Sequence, residues 1–225
     1  MKEWHWILWI VAGIVLTRIP VLGVYLRVVN TAVHEVGHAL TALILQGEVY
    51  RIELFSDTSG TATTRSKNKF TAFLVSLSGY MFSSVIAYVL FLLIHDSAEY
   101  FILWGLIILF ALILILYVRN TFGIIWLVGF IALNGWFLYL EKDVLVRYAA
   151  CCYAIVVLVD SVLSAGVVFY ASITQPSKSG DCYNLQKNAF LPAFFWGLIF
   201  VSFAGFMAWR TWVDFLLPKT FFDMN

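Results

Sequence analysis

The chain has 225 residues, of which 62% are hydrophobic, 18% aromatic and only 12% charged, with a formal net charge of +1. Ordinary soluble domains carry about a quarter charged residues, so a soluble globular protein is excluded and an integral membrane protein indicated, as a single domain over residues 1–225. Without a polybasic face, a nucleic-acid partner is excluded as well.

Apolar runs at Trp4–Thr17, Val21–Leu45, Phe70–Ile94, Tyr100–Val118, Thr121–Leu140, Tyr148–Ile173 and Ala189–Phe215 predict about seven transmembrane helices in an all-α, polytopic fold. The first run, ending near Arg18 and Pro20, is short of the roughly twenty residues that a 30 Å bilayer core requires. No small-x-small cleavage site follows it, so it reads as an uncleaved membrane segment. Tryptophans such as Trp126, Trp136 and Trp196 fit interfacial belts. Cys151, Cys152 and Cys182 are odd in number and two are adjacent, which argues against a disulfide framework.

With seven crossings, the N-terminus shares a side with the connections after the second, fourth and sixth spans. That side carries Lys2, Arg51, Arg65, Lys67, Lys69, Arg119, Lys178 and Lys187, whereas the connection His95–Glu99 on the other side has no Lys or Arg. The positive-inside rule then places the N-terminal side in the cytosol.

The second run contains His34-Glu35-Val36-Gly37-His38. His34 and His38, four residues apart, share a helical face and can bind one metal ion. Glu35, about 100° around the helix, is placed to act on a water at that metal without being a ligand. Structural histidines bonded between helices are the plainer alternative, but ionisable groups are costly at membrane depth. The run ends near Gln46 and Gly47, which sets the metal about 12 Å inside the helix end, nearer the cytosolic side.

Beyond Gly47 the pattern alternates through Glu48–Phe55, turns at Ser56–Gly60 and continues with the β-branched stretch Thr61–Arg65. Residues 48–65 thus read as a small cytosolic β-hairpin, either a plain solvated connection or an edge that holds an extended peptide as an added strand.

A catalytic zinc takes three protein ligands and keeps one position open. His5 and His95 fall in the wrong places. Asp181 follows Pro176–Gly180 on the inferred cytosolic side and opens the last span, so it is the favoured third ligand. Asp160, inside the sixth span, is its rival, and Cys182 is a third choice.

These residues resemble a known family. Asn30–Leu40 around the His-Glu-Val-Gly-His core, Gly47, the Val49–Glu53 strand, Ser59-Gly60-Thr61, Ser78-Gly79-Tyr80, Arg119–Gly123 and Ser179-Gly180-Asp181 look like the site-2-protease-type intramembrane zinc metallopeptidases, closest to their short, PDZ-less branch. The resemblance implies Zn2+ held by His34, His38 and an aspartate, with Glu35 as general base, hydrolysing peptide bonds of membrane-protein substrates in or beside the bilayer. The chain departs from the family in having Gly180-Asp181 and no Asp-Gly, in Val167-Val168-Phe169 where acidic residues are common, and in Met81-Phe82 after Gly79-Tyr80. Asn120, Asn134 and Tyr80 are candidate oxyanion donors, each with a packing or anchoring alternative.

Two other readings compete. One is a membrane protein that binds zinc for structure, sensing or transport; the other is an inactive pseudoprotease that binds membrane segments without cleaving them. A transporter needs several polar groups along a path, and Phe101–Leu116 has none. With such small soluble segments, regulation would come from a protein partner or from the spans themselves.

Overall fold

A computed structural model describes residues 5–217. Lys2, Trp4 and Lys219, and the side chains of His5, Trp6 and Trp9, lie outside what is described. The elements are α1 (His5–Leu16), α2 (Leu22–Ile44), β1 (Glu48–Leu54), β2 (Gly60–Arg65), α3 (Lys69–His95), α4 (Glu99–Leu116), α5 (Thr121–Tyr139), α6 (Asp143–Thr174), α7 (Asp181–Asn188) and α8 (Ala193–Thr211). A 3₁₀ turn, Pro176–Lys178, precedes α7, and a π turn, Trp212–Leu216, extends α8.

Among the described residues five helices are long and apolar enough to cross a bilayer: α3, α4, α5, α6, and α8 with its π turn. The protein is therefore an integral, multi-pass membrane protein with one small antiparallel sheet. At 12 residues, α1 is too short to cross a 30 Å core unaided. Helix α2 has 23 residues, and Arg27, Asn30, His34, Glu35 and His38 dilute its hydropathy. Protein encloses it instead: Val28, Val29, Ala32 and Val33 are completely buried. The helix that carries Arg27, Glu35 and both histidines is thus sheltered from lipid, where these groups would be costly.

Helix α2 packs on α3 and α6, and α3 packs on α6 and α8. Gly37 makes the α2–α3 approach possible, since a Cβ there would sit 2.7 Å from Cβ of Phe82. A capping box starts α3: the Thr71 N–H donates to Oδ1 of Asn68 at 2.9 Å, and the Asn68 N–H donates to Oγ1 of Thr71 at 3.1 Å. One apolar core fills the space among α2 to α6 and the sheet; a second lies between the end of α6, α7 and α8.

The hairpin lies back against α2 and does not project from its end. Thr31 Oγ1 donates to the Thr58 carbonyl at 2.7 Å, and Thr31 sits thirteen residues before Ile44, about 20 Å along the helix. Burial is the reason, because Ile52 and Leu54 are wholly enclosed by the main core. This removes the plain solvated connection as a description of residues 48–65. At the tip, Oδ1 of Asp57 accepts from Oγ and the N–H of Ser59 at 2.6 and 2.9 Å, bonds that hold its carboxyl below the usual range.

The outer edge of β1 is filled. Its Ile52 N–H donates to the Tyr117 carbonyl at 2.9 Å, and the Asn120 amide takes both the N–H and the carbonyl of Leu54. Ile52 and Leu54 therefore face away from β2. Their register partners, Ala62 and Gly60, must by antiparallel parity turn their own backbone groups away from β1.

Candidate metal centre

His34 and His38 lie one helical turn apart on α2. The His38 Nδ1–H donates to the Val75 carbonyl of α3 at 2.6 Å, which fixes the ring and leaves Nε2 with its lone pair toward the cleft. This Nε2 lies 3.0 Å from Nε2 of His34. The His34 ring is held edge-on by Tyr80, with centroids 4.5 Å apart and planes at 77°. Gly79 leaves the room: a Cβ there would overlap both imidazoles.

Asp181 completes the group. Its Oδ2 is 3.3 Å from Nε2 of His34 and 3.2 Å from Nε2 of His38. The local sequence explains the placement. Gly180 takes φ of +54°, a left-handed conformation favouring glycine, and the eight-residue α7 starts at once. Cys182 and Leu185, both fully buried, anchor α7 in the second core beside Ala193 and Trp196. Asp181 therefore opens a separate short helix and not, as the sequence suggests, the last span, which begins at Ala193. An isolated eight-residue amphipathic turn leaves little periodic signal. Burial opposes ionisation of Asp181, yet the adjoining imidazoles, His38 foremost, hold its carboxyl well below the usual range.

Two imidazole nitrogens and a carboxylate oxygen within 3.0–3.3 Å of one another would leave three lone pairs facing each other unless a cation or protons lie among them. The triangle fits Zn2+, since ligand bonds of about 2.0–2.1 Å at tetrahedral angles give ligand–ligand edges of about 3.3 Å. Among the described residues, His34, His38 and Asp181 are the group able to hold a metal ion.

Asp160 and Cys182 stand elsewhere. Asp160 is used by α2: Oδ1 accepts from Nε of Arg27 at 3.0 Å and Oδ2 from Nδ2 of Asn30 at 3.2 Å. Cys182 points into the apolar second core. Among the described residues Cys151, Cys152 and Cys182 are all free thiols. Of the three oxyanion candidates, Asn120 clamps Leu54 and Asn134 donates to the Phe130 carbonyl at 2.8 Å; Tyr80 alone lines the site.

Glu35 is buried beside the histidines. It lies beneath the hairpin, where a Cβ on Gly60 would come 2.7 Å from its Oε1. The site opens into a cleft of 610 Å³ walled by one face of α2 and one of α6 and floored by residues 57–62. Sequence reasoning missed three contributors: the Val75 carbonyl, because any residue offers one; Gly79 as the clearance for the rings; and Arg27 with Asp160 at the far end.

The family model for Peptidase M50B-like proteins matches residues 7–211. No curated protein and no solved structure matches the chain.

Proposed function

The chain belongs to the Peptidase M50B-like family, of site-2-protease type, and from that premise we propose that it is an intramembrane zinc metalloprotease acting on membrane-protein substrates. The observation that carries this reading is the convergence of His34, His38 and Asp181 within hydrogen-bond distance of one another, beside a buried Glu35. These three would hold Zn2+, and the ion supplies Lewis acidity that makes a water nucleophilic near neutral pH and polarises the scissile carbonyl. Glu35 takes the proton of the attacking water and delivers it to the leaving amine. Val75 keeps His38 in the required tautomer, and Asp181 adds the negative charge.

A helical substrate hides its backbone in its own hydrogen bonds and must be opened before attack. The outer edge of β2 borders the cleft at Gly60 and Ala62; the Ala62 N–H there serves the Glu35 carboxylate, and an opened segment that takes over this edge would be received as an added strand. The whole chain acts as one domain, since α3 and α6 line both apolar cores. Seven crossings, with α1 and α2 joining the five apolar helices, put the metal end, α7 and the start of the hairpin toward the cytosolic side, with the hairpin tip reaching inward along α2.

The test is zinc per chain in detergent-purified protein together with cleavage of a membrane-derived peptide. Wild type is expected to hold one zinc and cleave; Glu35→Gln is expected to keep the zinc and lose cleavage. Zinc lost with Glu35→Gln, or cleavage surviving it, would overturn the role given to Glu35. Stable zinc without cleavage of any substrate would favour the pseudoprotease.

A further inference from the structure

The cleft does not end at the metal centre. Its α2 wall is a single stripe, Arg27, Asn30, Thr31, His34, Glu35 and His38, and its α6 wall runs from Asp160 to Ala171. The two helices run in the same direction, because Arg27 meets Asp160 near the start of the cleft and His38 meets Asp181 just beyond the end of α6. The cleft is thus a channel with a metal end and an arginine end.

The arginine end is only half satisfied. A guanidinium has five N–H donors, and Asp160 engages Arg27 through Nε alone. The second oxygen of Asp160 is taken by Asn30, so the pair is end-on and not the two-pronged fork of a purely structural Arg–carboxylate bridge. Asp160 is almost fully buried, at 5% side-chain exposure, whereas Arg27 is 37% exposed and lines the cleft. Arg18, on the turn before α2, lines the same end. Asp57, on the hairpin tip beside Thr58, also lines the cleft, so the two arginines face two carboxylates there; what Asp160 leaves over is the remaining N–H donors of the Arg27 guanidinium, which border the cleft.

We propose that Arg27, aimed by Asp160 and backed by Arg18, is a specificity-determining residue that binds a carboxylate of the peptide lying in the cleft. Seven residues of helix separate Arg27 from His34, about 10 Å, which an extended peptide covers in about three residues. The carboxylate is therefore three or four residues from the bond at the metal centre. It belongs either to an acidic side chain or to the free C-terminus of a segment already trimmed. The substrate class rests on the protease reading, but the carboxylate site itself requires only that a peptide occupy the cleft.

The experiment measures peptide binding, by fluorescence anisotropy, to detergent-solubilised Glu35→Gln protein, so that turnover plays no part. The probes are apolar peptides that differ only in Glu against Gln at successive positions, each made with a C-terminal carboxylate or amide. One carboxylate placement is expected to bind about tenfold tighter, as one charge-assisted hydrogen-bonded pair gives, and the matching side-chain or terminal series identifies its source. In Arg27→Gln, and in Arg27→Gln/Asp160→Asn, which leaves no unpaired buried charge if the single variant fails to fold, the preference is expected to vanish with zinc content unchanged. Equal binding of all peptides, or a preference that survives the double substitution, overturns the assignment. If the protein proves to hold no zinc and cleave nothing while the preference depends on Arg27, the protease reading fails and the carboxylate site stands.

Discussion

The Nδ1–H of His38 is bound to the Val75 carbonyl at 2.6 Å, so a residue of α3 sets which face of an α2 histidine is offered to a metal. The ring cannot turn without stranding a buried donor, which costs roughly 1–3 kcal/mol. Metal affinity in this protein is thus expected to depend on α2–α3 packing as much as on the ligands.

Gly79 tests that dependence. A methyl at this position overlaps both imidazoles, so Gly79→Ala is expected to bring zinc well below one per chain while the detergent-solubilised helix content, read by circular dichroism, stays near wild type. A full zinc complement in Gly79→Ala would show that the rings have room to spare.

The two aspartates should separate cleanly. Asp181→Asn removes the ionised oxygen shared by both histidines and is expected to abolish zinc binding, and with it the stability that the bound ion supplies. Asp160→Ala leaves Arg27 and Asn30 without their acceptor. Because Arg27 is partly exposed, the cost should lie at or below the roughly 3 kcal/mol seen on breaking buried pairs, with zinc retained. Elemental analysis paired with denaturation midpoints checks both; zinc loss in Asp160→Ala alone would reverse the assignment.

Asn120→Ala unclamps β1. Two hydrogen bonds to Leu54 disappear, worth about 1 kcal/mol each, and hydrogen exchange at the Leu54 amide is expected to accelerate while zinc stays at wild-type level. Unchanged exchange would mean that the burial of Ile52 and Leu54 alone secures the hairpin.

Gly60→Ala addresses the clearance above Glu35. The added carbon meets Oε1 of Glu35 and the methyl of Thr31 at 2.7 Å, so either the hairpin tip or the carboxylate must shift. Displacing a catalytic group by about 1 Å can lower rates roughly a hundredfold, and a drop of at least tenfold in peptide cleavage, with zinc intact, is expected.

Much of this was legible in the sequence because it is local. The His34–His38 spacing, the alternation through 48–65 and the long apolar runs each declare themselves within a single turn, strand or helix, and the helices found at 69–95, 99–116 and 121–139 lie close to the runs that announced them. What stayed hidden depends on pairings far apart in the chain. Asp160 read as a rival ligand because its partners, Arg27 and Asn30, lie 133 and 130 residues away. The hairpin read as a possible solvated connection because its anchors, Tyr117 and Asn120, sit beyond two further helices. Asp181 reads as the opening of the last span because it follows the Pro176–Gly180 connection, but the helix it starts ends at Asn188 and Ala189–Pro192 break the chain before α8 begins.

The position of Asp181 has a mechanical consequence. It is 143 residues from His38 in sequence and rides on a helix of only eight residues, joined by a short link that holds the 3₁₀ turn on one side and by Ala189–Pro192 on the other. A metal ion shared by these ligands would be a cross-link closing a very long loop, stitching the last third of the chain to the second helix. Withdrawal of the ion by a chelator should then loosen α7 and its two links before anything else, and limited proteolysis should begin between residues 175 and 192 while the helical bundle is still whole.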